Sequence, residues 1–386
     1  MRVLYSTDQL QTRYRRMKQD MAKGVEVSKT KLVLFLGSGI SAALGLPTTE
    51  QLSGKLLETG DALGVMPVED FITSRISEFW NTVFGWKPGM QPPSLEDHFT
   101  QIDLTANSGH YLGAAYGPRQ LRAIRRMTIH RIFSLLRNPG IRDDRIIEFF
   151  KGLHKAFDLT IITTNWDAEV ESNLNLLEIP INYGLDEVTE TERQAPPAGV
   201  PVLKLHGCTN RGYCDCCRNV IRFEGIDDAV TRLRLLLDDG DFELLGGKQV
   251  ADFLHNSVGA SDAALSKCND CGVRLGLRVG TFSYRKDLNP HAFYTIWDKA
   301  RSDLIFAEKW LFVGYSLPAA DIEIRQLLKS SQLARRDPTR VSIEIALKGD
   351  SEAGERYARF FGVRAEEVFQ DGLEEWIVNR LQVYSA

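Results

Sequence analysis

Several apolar runs in this 386-residue chain end in residues that can handle protons and hydroxyl groups. The run Phe157–Asn165 leads into Thr163-Thr164-Asn165-Trp166-Asp167, Val200–Gly207 ends in His206-Gly207, and Lys309–Leu317 contains Gly314-Tyr315-Ser316. A histidine can serve as a general base near neutral pH. An asparagine can hold a water or a hydroxyl, and an aspartate can orient a polar group. Each has a plainer explanation when taken singly: a lone strand-end histidine is more often structural, and Asn or Asp there often caps the next helix. A further run, Lys31–Gly37, opens into Gly37-Ser38-Gly39-Ile40-Ser41-Ala42. That spacing matches G-x-G-x-x-G/A, in which glycines let the backbone approach a pyrophosphate and helix-start amides receive its charge. A tight strand-to-helix turn accounts for it equally well. No acidic residue closes a second strand about twenty residues on, so an ordinary hydride-transfer enzyme fits poorly.

The cysteines form a second group. All six lie between Cys208 and Cys271, and four make the pairs Cys214-x-x-Cys217 and Cys268-x-x-Cys271. Tetrahedral Zn²⁺ takes four soft ligands, and each CxxC turn supplies two. Four cysteine ligands leave no open coordination position, so the zinc would be architectural. Fifty residues separate the pairs, which makes 222–264 an inserted excursion. Cys216 can replace a neighbour as ligand, Cys208 follows the histidine closely, and reduced, unligated cysteines are the plainer alternative.

The elements that must position these groups are near-continuous apolar runs with β-branched residues: KLVLFLG from Lys31, FDLTIITTN from Phe157, VPVLKLHG from Val200, KWLFVGYSL from Lys309 and RVSIEIALK from Arg340. Strands buried on both faces and alternating with helices predict an α/β fold, a Rossmann-like parallel sheet with helices on both faces. Such sheets bind ligands at the carboxyl ends of their strands. Residues 9–23 read as a polar helix in an N-terminal segment 1–30. Thr48 is a cap for a helix over 49–58. Residues 66–155 read as mostly helical, interrupted at 85–89 and 107–113. The expected organisation is a nucleotide-binding domain over 31–207 and 300–386, a helical module at about 60–155, and a zinc-knuckle module over 208–290.

Composition bounds the function. Hydrophobic residues make up 43% and charged residues 25%, with a formal net charge of -4. Disorder and a global basic field are both excluded, so nucleic acid is not indicated. The run Arg119, Arg122, Arg125, Arg126, Arg131 and Arg137 reads as a solvated helix face. No run reaches the 18 or so apolar residues of a membrane span, and the polar start lacks an apolar signal core. With clustered cysteines, this predicts a cytoplasmic protein.

In order along the chain, the motifs resemble those of the sirtuin family. GSGIS, three residues, then GLP (Gly37–Pro47) is similar to GAGIS, three residues, then GIP; TTNWD is similar to TQN-x-D, KLHG to LHG, and GYSL to GTSL. A paired CxxC knuckle after LHG also resembles the family, as does CGVRLGLRVGTF from Cys271. The resemblance implies NAD⁺ as substrate, structural zinc on Cys214, Cys217, Cys268 and Cys271, and a catalytic set of Asn165, His206 and Asp167. Asn165 would hold the attacking water or ribose hydroxyl, Asp167 would orient nicotinamide and its loop, and His206 would be the base for ribose hydroxyl chemistry. Gly37, Ser38, Gly39, Ile40, Ser41, Pro47, Thr164, Gly314 and Ser316 would contact the cofactor.

Three departures matter. Where sirtuins follow GIP with Asp-Phe-Arg, this chain has Thr48-Thr49-Glu50, losing the phenylalanine that shields the reactive ribose from water. Phe282-Ser283-Tyr284 replaces the FGE segment that pairs with the acyl-lysine peptide, and IEIALK lacks the asparagine that meets the adenosine ribose. The pattern resembles divergent bacterial sirtuin-like proteins of phage defence, many of which hydrolyse NAD⁺. This implies an NAD⁺ glycohydrolase controlled by homo-oligomerisation or by a partner such as an ATPase or phage-sensing subunit. The alternatives are a protein-lysine deacylase and a module that binds NAD⁺ or ADP-ribose without turnover.

Overall fold

Apolar side chains on both faces of the segment Lys31–Leu36 make it the middle of a sheet, and all but its first residue are buried. In a computed structural model the strands are β1 (Lys31–Leu36), β2 (Asp158–Thr163), β3 (Ile181–Asn182), β4 (Glu187–Val188), β5 (Arg193–Gln194), β6 (Val200–Lys204), β7 (Arg211–Tyr213), β8 (Val220–Arg222), β9 (Lys309–Val313), β10 (Ser342–Ala346) and β11 (Glu367–Phe369). The structure describes residues 29–58, 66–136, 141–184, 187–188, 193–194, 198–214, 216–217, 220–222, 237, 239–257, 267–268, 270–273, 275, 279–280, 282–284, 291–362 and 364–381. The expected N-terminal helix at 9–23 and much of the 222–264 insertion lie outside these residues.

Seven strands form one sheet in the order β11-β10-β9-β1-β2-β6-β3, every pair parallel. The expected parallel α/β sheet is thus present. Alternation along the strands divides the core. Leu32, Leu34 and Leu36 face Phe149, Phe150, Leu153 and Trp376, whereas Val33 and Phe35 face Ile296, Leu304, Ile324 and Tyr357. From β1 the chain builds outward through β2 and β6, then returns to the other side of β1 as β9. The strand order therefore reverses between β1 and β9, and a crevice opens at their carboxyl ends.

A second core belongs to helices Met66–Phe84, Leu95–Asn107 and Pro118–Leu135, around Ile72, Phe79, Trp80, Phe99, Ile124 and Phe133. His98 is buried at its centre. Trp80 Nε1 donates to His98 Nδ1 at 2.9 Å, and Thr128 Oγ1, which donates to the Ile124 carbonyl, takes the His98 Nε2 hydrogen at 3.0 Å. Burial pushes His98 down to about 3, so the ring is a neutral structural element.

The basic helix departs from the sequence reading at two positions, Arg125 and Arg131. Arg125 pairs with Asp103 at 2.8 Å, Arg126 Nε donates to Asp241 at 2.7 Å, and the buried Arg131 pairs with Glu69 at 3.1 Å. Arg131 is thus an internal clamp and Arg125 a half-buried one, whereas Arg119, Arg122 and Arg126 are exposed, as a solvated face would be, and Arg137 lies outside the described residues. Asp241 sits on helix Asp239–Leu244 of the insertion. That helix and Lys248–Ser257 add Phe242 and Ala251 to the helical core. Two boundaries also move. Helix Asp144–Ala156 packs on the sheet through Ile146, Phe149, Phe150 and Leu153, so the helical core ends near Leu136. Helix His291–Phe306 covers the opposite face, beginning before residue 300. Among the described residues no helix is long and apolar enough to cross a membrane.

Candidate functional site

The crevice at the switch point is a cleft of about 760 Å³, a size suited to a small-molecule ligand. Its floor is a contact between two glycine turns. A Cβ on Gly39 would stand 2.6 Å from the Gly314 Cα, and one on Gly37 would stand 2.4 Å from the Gly314 carbonyl oxygen. Gly314 itself has φ 64°, a left-handed conformation that favours glycine. The Gly37 amide donates to the Val313 carbonyl (3.0 Å) and the Gly39 amide to the Gly314 carbonyl (3.1 Å). These two glycines therefore serve close backbone approach, and their amides are committed to β9 rather than turned to a ligand.

The turn after β9 is held from outside. Tyr357 donates to the Tyr315 carbonyl (2.6 Å), Arg356 to that of Ser316 (2.8 Å) and Arg325 to that of Leu317 (3.1 Å). Leu317 is buried with φ 55°, a conformation that costs a branched residue energy and persists only when its surroundings enforce it.

Polar side chains meet at the ends of β1 and β2. Asn165 Nδ2 donates to the Gly37 carbonyl (2.9 Å) and to Ser41 Oγ (3.0 Å), and Ser41 Oγ donates to Asp167 Oδ2 (2.8 Å). Both Nδ2 hydrogens are spent, so the remaining polar atom of this carboxamide, Oδ1, is an acceptor. Asp167 Oδ1 accepts the Glu169 amide (3.1 Å) at the start of helix Glu169–Leu176. His206, two residues beyond β6, lines the same cleft at 6% exposure, and its carbonyl accepts from the Gly280 amide (2.8 Å).

Of the sequence-derived cofactor contacts, Ser38, Gly39, Ser41, Pro47, Thr164, Gly314 and Ser316 line the cleft together with Asn165, Asp167 and His206. Gly37 lies behind the wall, where its carbonyl holds Asn165. The Ile40 side chain is part of the apolar core. Thr48 caps helix Thr49–Lys55 through a reciprocal pair with Gln51, so Thr49 and Glu50 sit in a helical first turn at the cleft edge.

Sequence reasoning passed over the charges beneath this site. Lys204, Glu169 and Glu171 are all buried. Lys204 Nζ donates to Glu171 Oε1 (3.0 Å) and Oε2 (3.2 Å), and also to the Asp167 carbonyl. Burial alone would depress Lys204, but the surrounding anionic groups raise it. Cys208 stands 3.7 Å from Glu171 and is itself pushed up by burial, so it is a thiol at neutral pH, and Glu171 is the counter-charge. Burial also raises Asp167, against the pull of Lys204. Burial, followed by the charges of Asp167 and Glu171, brings Glu169 up to about 7. A lysine inside the otherwise apolar run VPVLK was the available signal, because such a charge requires a buried partner.

Away from the cleft, the sulfurs of Cys214, Cys217, Cys268 and Cys271 all lie within 4.8 Å of one another. Four thiolates about a tetrahedral Zn²⁺ at ~2.3 Å would stand roughly 3.8 Å apart, so the donor set fits the ion. Cys216 is exposed and Cys208 is buried beside Glu171; neither belongs to the cluster.

No protein-family profile matches the chain, and no curated protein is similar to it. Among solved structures, a Sir2 homologue mutant in complex with ADP-ribose is 14% identical, with 92% of this chain and 91% of that chain covered and a TM-score of 0.41. A Sir2 homologue in complex with NAD is 14% identical, with 96% and 93% covered and a TM-score of 0.37.

Proposed function

We propose that the cleft binds NAD⁺ and that the protein cleaves its nicotinamide–ribose bond, delivering the ribosyl group to water. The observation that carries this reading is the Asn165–Ser41–Asp167 network at the switch point, with His206 lining the same cleft. Dimensions agree: the ends of β10, β9, β1, β2 and β6 span four interstrand spacings, roughly 19 Å, the scale of an extended dinucleotide. The pyrophosphate lies over the floor that the glycine contact forms, beside Ser38 and Ser316, which line the cleft there. The β2 and β6 ends take the nicotinamide riboside, and Lys348 and Asp350 beyond β10 line the adenosine end.

In this reading the C–N bond breaks and nicotinamide leaves with the bonding electron pair. Asn165 Oδ1 accepts a hydrogen bond from the water whose oxygen bonds to C1′ and whose surplus proton passes to solvent, and His206 serves as base toward the ribose hydroxyls. Cys214, Cys217, Cys268 and Cys271 would hold zinc, which would supply architecture only, because four thiolates leave a tetrahedral ion no open position.

Water rather than a peptide is the acceptor for two reasons. The Thr48–Gln51 capping box puts polar residues where the resemblance expects a shielding phenylalanine. The segment assigned by resemblance to peptide pairing is bonded within the chain: the Tyr284 amide donates to Thr100 Oγ1 (2.9 Å), Ser283 is buried, and Phe282 lies against Trp166 (4.9 Å between centroids). A peptide strand would have to displace these contacts. The motif resemblance extends the proposal to a cytoplasmic antiphage effector that depletes NAD⁺ when a partner or self-assembly activates it. The test is incubation with NAD⁺ alone, in the assembled or triggered state. Release of nicotinamide and ADP-ribose is expected. Strict dependence on an acyl-lysine peptide would assign a deacylase, and binding without turnover a sensor module.

A further inference from the structure

We infer that Lys204 is a positioning residue whose buried ammonium group ties the Asn165–Asp167 loop to the strand end that carries His206. Its kinetic consequence rests on the proposed reaction; its structural consequence does not.

Lys204 is the last residue of β6 and stands two residues before His206. Its side chain is 0% exposed, and Glu171, its counter-ion, is 5% exposed. Burying an ammonium–carboxylate pair gains little stability over an apolar pair of similar volume. Fold stability alone therefore does not account for a lysine here. What an apolar side chain cannot do is donate to the Asp167 carbonyl, as Lys204 does.

Asp167 is held from three directions. Ser41 on the β1 turn donates to Oδ2, the Glu169 amide of its own helix donates to Oδ1, and Lys204 from β6 donates to the backbone oxygen. The β6 end is fixed independently, through Trp297 Nε1 on the Leu205 carbonyl (3.1 Å) and Gly280 on the His206 carbonyl. Lys204 thus joins a fixed strand end to a loop that Ser41 holds from β1. Beyond β6 the Thr209 amide reaches only the neighbouring Trp166 carbonyl (2.8 Å), and the Cys208 thiol stands at 3.9 Å from the Asp167 oxygen, so the charged donor to that oxygen is Lys204. Glu171 makes it affordable to keep the ammonium charged out of water, and directs it by accepting through both oxygens.

Two variants separate this role from a merely structural one. Glu171→Gln keeps the donor to Asp167, because a Lys204 amine that sheds its proton along with its counter-ion still carries N–H groups, whereas Lys204→Met combined with Glu171→Gln removes the donor without leaving an unpaired buried charge. Amide hydrogen exchange over 164–169 reads the loop, and nicotinamide release from NAD⁺ reads the chemistry. Protection over 164–169 is expected to persist in Glu171→Gln and to fall by about tenfold or more in the double variant. The double variant is also expected to show kcat about ten- to a hundredfold below Glu171→Gln, with ADP-ribose affinity kept. Equal protection in the two variants would overturn the inference, as would lost protection with kcat unchanged. If the unsubstituted protein releases no nicotinamide, the hydrolase reading fails, and the exchange comparison alone decides the role of Lys204. Lys204→Leu with Glu171→Gln replaces the methionine version should that not fold.

Discussion

The Ser41 hydroxyl donates to the Asp167 carboxylate at 2.8 Å across 126 residues of sequence, while accepting from Asn165 at 3.0 Å. One small side chain on the β1 turn thus sets both polar residues at the end of β2. Ser41→Ala leaves a buried carboxylate oxygen short of a donor, at a cost of about 1–3 kcal/mol. It also lets the Asn165 carboxamide turn. The expected result is a melting temperature lower by several degrees and nicotinamide release reduced about ten- to a hundredfold. Calorimetry and a product assay check the two effects separately, and an unchanged rate would remove Ser41 from the site.

The Gly39–Gly314 contact makes a prediction about binding. A methyl group at Gly39 meets the Gly314 Cα at 2.6 Å, and backbone cannot swing aside as a flexible side chain can. Gly39→Ala should force the two turns apart and abolish measurable ADP-ribose binding in titration calorimetry. Gly54→Ala, in helix Thr49–Lys55 at the edge of the same cleft, is the contrasting case for the fold, since nothing stands within 4 Å of its added carbon. It should raise stability by about 0.5–1 kcal/mol. Normal ligand affinity in Gly39→Ala would show that the turns do not form the floor.

Much of this site was legible because its groups lie on short segments at the ends of strongly apolar strands. The runs ending at Gly37, Asn165, Gly207 and Ser316 announce parallel strands, and parallel sheets bring their carboxyl ends together. The edge strands β3 and β11 were not legible, being two and three residues long with no apolar run to mark them. The arginines of Pro118–Leu135 misled only in part, at the half-buried Arg125 and the buried Arg131, and for a different reason. A charged residue reads as solvated unless its partner is known, and Asp103, Glu69 and Asp241 come from three other helices. The Lys204–Glu171 pair was hidden in the same way, by a separation of 33 residues.

Zinc is expected at about one ion per chain by elemental analysis of protein purified without chelator. Cys268 is buried in a small apolar cluster with Cys214, Ile221 and Leu275, so among the described residues the core around the four cysteines is small. Cys268→Ser or chelation should lower the melting temperature, with loss of activity following unfolding rather than preceding it. Protein that is folded, active and free of zinc would exclude the architectural role.

Glu169 sets a pH dependence of stability. Its folded value is raised to about 7 from the ordinary carboxylate value of 4.5, so between these limits the folded chain holds a proton that the unfolded chain releases. Its contribution is therefore fully present below about pH 4.5 and is lost as pH rises through about 7. Glu169→Gln should flatten that part of the profile and raise the melting temperature relative to the parent above pH 7. Melting curves from pH 4.5 to 8 decide the matter: parallel profiles for parent and variant would mean that Glu169 is ionised throughout.

His206 carries the sharpest prediction about chemistry. Its backbone is held independently of its ring, by Gly280 on its own carbonyl and by Trp297 on that of Leu205. Removing the imidazole should therefore leave β6 and the cleft in place. If the ring acts as base toward the ribose hydroxyls, His206→Ala should lower nicotinamide release by about 10²–10⁴-fold. ADP-ribose affinity and melting temperature should change little. Asn165→Ala is the companion, expected to lose activity through the water or hydroxyl it holds, with some loss of stability because its carboxamide also bridges Gly37 and Ser41. Both are compared with the parent in the activated state, so that a silent basal form is not taken for a catalytic defect. A folded His206→Ala protein that turns over NAD⁺ at the parental rate would remove the histidine from the mechanism and shift the chemistry to Asn165 and Asp167.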